Sequence, residues 1–228
     1  MRIYCHYCRS VFSNCYILGT DLRETSDDPS LPEAAPPTGA SPQGEASPQG
    51  EAIIIDPGEM DQKILTFIED NGYALKGIFI THDHPFHVNG LPTIMRIYDA
   101  PVYAINPVVK DYRTTLVRDG EIVNTGQFQV EVISVPGHSA DSAVFKLERL
   151  LFTGDTLTAG LIGKASSSYG AATQINALRS KILSLPGDYT VLPGQGPPTT
   201  LKAECRFNLG IESFEERKNR RRVFRVDL

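Results

Sequence analysis

Three of the chain's five histidines fall in one stretch, Ile80-Thr81-His82-Asp83-His84-Pro85-Phe86-His87-Val88-Asn89-Gly90, and a fourth, His138, sits in Val135-Pro136-Gly137-His138-Ser139. Neutral imidazole is the commonest metal-binding side chain, and several imidazoles converging on one point make a metal centre. A solvated polar loop, with its rings paired to backbone carbonyls, is the weaker reading, because histidines at this density rarely arise without a shared ligand. The rings need a rigid base. Gly77-Ile78-Phe79-Ile80 is an apolar run that reads as a buried strand ending at Thr81, which puts the histidines on the loop at its carboxyl end.

The rest of the chain supplies elements that could hold such a loop. Residues 2–7 and 11–18 read as short strands, Ile53-Ile54-Ile55 as a buried strand closed by Asp56-Pro57-Gly58, and 60–71 as an amphipathic helix stopped by Gly72. A short helix over 88–98 and a strand over 101–105 follow. Strands at 129–135, 143–147 and 150–152, a helix over 172–184, a strand at 189–192 and a helix over 201–207 complete the reading. Residues 23–52 differ. They are rich in Pro, Glu, Asp and Ser and carry a tandem Ala-Ser-Pro-Gln-Gly-Glu at 40–45 and 46–51, so they read as a disordered insert in a hairpin. Basic residues gather between Arg217 and Arg225 and read as a solvated helix end.

Composition narrows the class. A length of 228 residues suits one large domain or two small ones, with 41% hydrophobic and 21% charged residues. A net charge of -5 argues against a general nucleic-acid binder, and no stretch reaches the roughly 20 apolar residues that span a bilayer. The amino terminus lacks an apolar signal run, and four cysteines are too few for a disulfide scaffold, so reduced thiols in the cytoplasm are expected. Cys5-His6-Tyr7-Cys8 is a lone Cys-x-x-Cys. In a strand its thiols face opposite sides, which favours small core residues over half a zinc site or a redox pair.

Four stretches each end a predicted strand: Thr81-His82-Asp83-His84-Pro85-Phe86-His87, Pro136-Gly137-His138-Ser139, Phe152-Thr153-Gly154-Asp155-Thr156 and Leu192-Pro193-Gly194-Gln195-Gly196. In this order and spacing the chain resembles the metallo-β-lactamase-fold hydrolases, and most of all their short hydroxyacylglutathione hydrolase (glyoxalase II)-like members. Asn14-Cys15-Tyr16, Ile55-Asp56-Pro57-Gly58, Gly160-Leu161-Ile162-Gly163-Lys164 and Thr199-Thr200-Leu201 with Glu204 and Asn208 extend the likeness over nearly the whole chain outside the insert. The resemblance implies an α/β fold, a four-layer αββα sandwich in a single domain, with metal at one edge of the two sheets. It also implies that His82, His84 and His138 hold a first ion beside Asp155, and that His87 and a share of Asp155 belong to a second.

Two departures fall on that second position. Phe86 stands where the family has an aspartate, and Gln195 where it usually has a histidine. The expectation is therefore one zinc ion, with Fe2+ or Mn2+ as alternatives, since tight zinc sites keep at least three protein ligands. One zinc held by three imidazoles activates water near neutral pH, enough to cleave a thioester or ester in a small-molecule substrate, with Asp155 and His87 as the catalytic candidates. His87, Gln195 and Lys164 are the candidate donors to developing negative charge, and Asp56 reads as structuring its loop. Two other readings remain. A mononuclear-iron persulfide dioxygenase-like enzyme would use His82, His138 and Asp155, and a binding protein would keep a structural metal without turnover.

Overall fold

The computed structural model describes residues 1–21 and 48–211. Most of the expected insert and all of the basic tail lie outside them. The insert's far boundary is corrected, however. Gly50–Ile55 is one continuous strand whose first residues pair with Asp21 and Thr20, and Glu51 bonds Lys76 and the Gln127 amide. Low apolar content hid this strand start, because Gly50 and Glu51 are held by backbone pairing and an ion pair.

Two six-stranded sheets face each other. The first runs in chain order through β1 (Arg2–Cys8), β2 (Ser13–Asp21), β3 (Gly50–Ile55), β4 (Tyr73–Phe79), β5 (Val102–Ala104) and β6 (Thr115–Leu116). The second contains β7 (Ile122–Thr125), β8 (Phe128–Ser134), β9 (Ala143–Leu147), β10 (Leu150–Gly154), β11 (Thr190–Pro193) and β12 (Thr199–Thr200), in the order β12-β11-β10-β9-β8-β7. The short edge strands β6 and β7 expose alternate or all residues and carry little periodic apolar signal.

Strand alternation generates three separate cores. Ile53 and Ile55 point between the sheets with Tyr16, Phe79, Phe145 and Phe152, while Ala52 and Ile54 point outward to meet Ile64, Ile68, Leu91 and Ile94. On the second sheet Val144 and Leu151 point outward to Leu178, Ile182 and Leu201. Helix, sheet, sheet, helix is the αββα sandwich that the resemblance implied.

The helices follow from local chemistry. In α1 (Gln62–Asp70), Asp61 accepts from the Lys63 and Ile64 amides at 2.9 and 3.1 Å, and Ile64 and Ile68 form the buried stripe. The helix expected over 88–98 is α3 (Leu91–Ile97), preceded by a separate helical turn, α2 (Pro85–Val88). Pro92 fits only a first helical turn, so the chain must restart there. Ser167 caps α4 (Ser168–Ala177), whose continuation over Leu178–Ile182 widens to a π turn; α5 spans Leu201–Phe207. Among the described residues no helix is long and apolar enough to cross a membrane.

Candidate metal centre

The site forms where β3, β4, β8, β10 and β11 end at one edge of the sandwich. Two backbone bonds pin the sheets together there, Ala143 N to Thr81 O at 2.9 Å and Asn14 N to Gly194 O at 2.7 Å. All five residues expected at the centre are brought together. His82, His84 and His138 present ligand atoms within 4.8 Å of one another, and so do His82, His87 and Asp155. His82 thus belongs to both groups, whereas the resemblance placed it with the first alone.

Hydrogen bonding fixes which nitrogen of His82, His138 and His87 faces inward. Thr81 Oγ1 donates to Asp56 Oδ2 at 2.6 Å, so its lone pair takes the His82 Nδ1–H at 3.1 Å and leaves the Nε2 lone pair free. His138 Nδ1 donates to the Lys164 carbonyl at 3.0 Å, and its Nε2 lies 3.1 Å from His84 Nδ1. His87 Nδ1 donates to Asp56 Oδ2 at 3.0 Å, which turns Nε2 towards Asp155 Oδ1 at 3.4 Å. Asp155 Oδ2 faces His138 Nε2 at 3.8 Å.

Three inward atoms, His82 Nε2, His87 Nε2 and Asp155 Oδ1, are buried with no hydrogen-bond partner. Buried polar atoms left without partners are costly, and a cluster of lone-pair donors aimed at one point is what a cation satisfies. The residues present therefore fit a metal.

Burial and mutual repulsion set the protonation states. Burial and the neighbouring His87, His138 and His84 charges hold His82 far below the usual imidazole range, so it is neutral. Burial also lowers His138, against the pull of Asp155. Burial opposes charge on His87, but Asp56 and Asp155 override it and push the ring up to about 10. Burial would raise the Asp155 carboxyl, yet the His87 ring 3.4 Å away and the other surrounding rings hold it below the usual carboxylate range.

These shifts predict the pH response of the chelated chain. His87 binds its proton more tightly folded than unfolded, so its stabilisation is complete below its ordinary value of 6.5 and is lost as pH rises towards about 10. His82 acts oppositely, because below 6.5 the unfolded ring takes a proton that the folded one refuses. Urea midpoints of metal-free chain are expected to peak near neutrality and fall on both sides, and His87→Gln should flatten the alkaline limb.

Asp56 does more than structure its loop. Buried at 2% exposure and φ +50°, it accepts from Thr81 N at 2.8 Å, from Thr81 Oγ1 and from His87 Nδ1. Its position directly after Ile53-Ile54-Ile55, at a strand end, was the available signal. Asp56→Ala leaves those donors unpaired in the interior and is expected to destabilise the chain by about 3–5 kcal/mol, read by urea unfolding. Gly194 is required beside it, since a Cβ there would collide with His87 Cε1.

The remaining expected residues lie differently. Asp83 is exposed and supplies no cap to α2; its amide donates to Asp141 Oδ2 at 2.8 Å. Lys164 is exposed and serves the site through its carbonyl. Phe86 is 46% exposed and Gln195 half-buried. Buried Glu204 was quoted only as part of the likeness. It accepts from Gly160 N, Thr199 Oγ1 and Asn208 Nδ2, bracing the start of the 160–164 loop that reaches His138.

Residues 46–195 match the profile of the family described as the Metallo-beta-lactamase superfamily. The chain belongs to that superfamily. By sequence it is 35% identical over 137 residues to the hydroxyacylglutathione hydrolase of Photorhabdus laumondii, covering 60% of this chain and 54% of that one. The chain thus spans about half the length of that relative. It is 29% identical over 186 residues to the probable metallo-hydrolase YqgX of Bacillus subtilis, covering 71% and 88%. The crystal structure of the BLEG-1 B3 metallo-beta-lactamase superposes with a TM-score of 0.71 at 22% identity, over 91% of this chain and 98% of that one, which is a likeness of fold.

Proposed function

We propose that this metallo-beta-lactamase superfamily member is a metal-dependent hydrolase of a small thioester or ester, with one ion held by His82, His84, His138 and Asp155. The observation that carries the reading is the convergence of the His82, His84 and His138 ligand atoms within 4.8 Å of one another at the sheet edge, with Asp155 Oδ2 3.8 Å from His138 Nε2. The named hydroxyacylglutathione hydrolase relatives support the substrate class. A zinc ion bound there would lower the pKa of water and polarise the substrate carbonyl.

The chain's own residues then have distinct tasks. Asp56 orients His87, and His87 engages Asp155 Oδ1, leaving Oδ2 turned towards His138. Ionised Asp155 is an acceptor only, suited to orienting the attacking water and taking its hydrogen bond. Gln195, on the loop that closes over His87, is the amide we assign to the substrate's developing charge. The position of His84 Nδ1 beside His138 makes a four-donor set, which favours this reading over a mononuclear-iron oxygenase built from His82, His138 and Asp155 alone.

Turnover of an acyl-thioester series should rise with pH to a plateau and vanish on chelation, returning with zinc. Oxygen uptake with a persulfide substrate, or metal-loaded chain inert on every thioester and ester, would sink the proposal.

A further inference from the structure

Outside the histidine centre, the described residues bring together one more mixed donor group. We propose that His6, Cys8 and Glu59 form a second, structural metal site that takes zinc, with Asp61 beside His6 at its rim.

The group is a product of strand geometry. In β1 the alternation that turns Cys5 and Tyr7 to solvent turns His6 and Cys8 to the same inner face, at 5% and 0% exposure. The motif at the amino terminus is thus His-x-Cys on one face, and Cys5 has no part in it. Glu59 arrives from the turn after β3, and the ligand atoms of His6, Cys8 and Glu59 all lie within 4.8 Å of one another. His6 Nε2 stands 3.3 Å from Glu59 Oε1 and 3.5 Å from Asp61 Oδ2. Both separations are long for N–H···O hydrogen bonds, and both match the edge of a tetrahedron with zinc–ligand bonds of about 2.0–2.3 Å, roughly 3.3–3.8 Å.

The two carboxylates are already oriented by other donors. Glu59 accepts from Arg9 N at 2.9 Å, from Ser10 N at 3.2 Å and from Ser10 Oγ. Asp61 uses Oδ1 to cap α1, which leaves Oδ2 for the group. Such outer hydrogen bonds are what hold carboxylate ligands in place around a metal. Turn capping explains Glu59's bonds to Arg9 and Ser10, but not why His6 and Cys8 gather on the same carboxylate.

The donor types select the ion. A thiolate with an imidazole favours zinc over magnesium or calcium, which want oxygen alone. Burial pushes the Cys8 thiol up to about 11, so without metal it is a neutral thiol, and zinc must displace its proton on binding. Glu59 and Asp61 are 19% and 37% exposed at their side chains and give the ion its way in. Bound there, the ion would clasp the β1–β2 hairpin to the segment leading from Asp56 to α1.

Cobalt titration of the full-length, metal-free chain separates this site from the other, because the histidine centre has no sulfur. Cobalt bound at Cys8 must show a thiolate-to-metal charge-transfer band in the near ultraviolet. The band is expected in the parent chain, in His84→Ala, and in the Cys5→Ser and Cys205→Ser controls, and it should be absent in Cys8→Ser. His6→Gln, which leaves the thiol in place, should weaken the cobalt affinity read at that band by more than about tenfold. A parent chain without the band overturns the site. So does a band that survives Cys8→Ser, that is lost with Cys5→Ser, or whose affinity is unchanged by His6→Gln.

Discussion

His84→Ala is expected to strip the ion from the histidine centre while leaving the fold intact. His84 is half-buried on the loop after β4, and its Nδ1 lies 3.1 Å from His138 Nε2. Removing it breaks the group of three imidazoles and cuts the four-donor set to His82, His138 and Asp155, which is expected to loosen the ion enough for it to be lost on gel filtration. No buried donor is orphaned by the change, so the melting temperature of the metal-free chain should stay within a few degrees of the parent's. His87→Ala is the contrasting case. Its ring is fully buried between Asp56 and Asp155, and its loss leaves a cavity and an unpaired carboxylate, costing about 2–5 kcal/mol. Its metal content should nevertheless remain close to the parent's, because His82, His84, His138 and Asp155 all survive. Elemental analysis after gel filtration reads both. If His87→Ala loses its ion and His84→Ala keeps it, the ion belongs to the His82, His87 and Asp155 group, and the assignment proposed above is wrong.

Much of this site was legible in the sequence because the physics was local. An apolar run such as Ile78-Phe79-Ile80 followed by three histidines announces a strand end bearing candidate ligands, and His138 and Asp155 likewise follow strands. What the sequence hid was set by partners far along the chain. Asp56 looks like a turn residue until the fold brings Thr81 and His87, 25 and 31 positions away, onto its carboxylate. His6 carried no signal at all, since its neighbours Glu59 and Asp61 lie more than fifty residues on and sit in a turn and a helix cap. The helix expected over 88–98 is present as α3, and only its start was misplaced, because periodicity ignores the proline at 92. The strand start at Gly50 failed because backbone pairing leaves no mark on composition.

Phe86→Asp with Gln195→His is expected to raise the bound metal from one ion to two. The backbone at both positions is already pinned. The Phe86 carbonyl accepts from Ser13 Oγ at 2.6 Å, and Asn14 Nδ2 donates to the Pro193 and Gly196 carbonyls at 3.0 and 2.8 Å on either side of Gln195. Ligand identity can therefore change with little movement of the main chain. The Phe86 ring is 46% exposed, so its removal opens no core cavity. The His82, His87 and Asp155 group is already assembled, and a carboxylate and a further imidazole would bring it to the donor count of a tight site. A second ion there also requires His87 to give up the proton that Asp56 and Asp155 help it hold, so uptake should strengthen with rising pH and release protons. Each single variant should still bind one ion. Elemental analysis and the proton release on zinc addition decide the matter. A double variant that binds one ion would mean that the second position has been reshaped beyond the identity of its ligands.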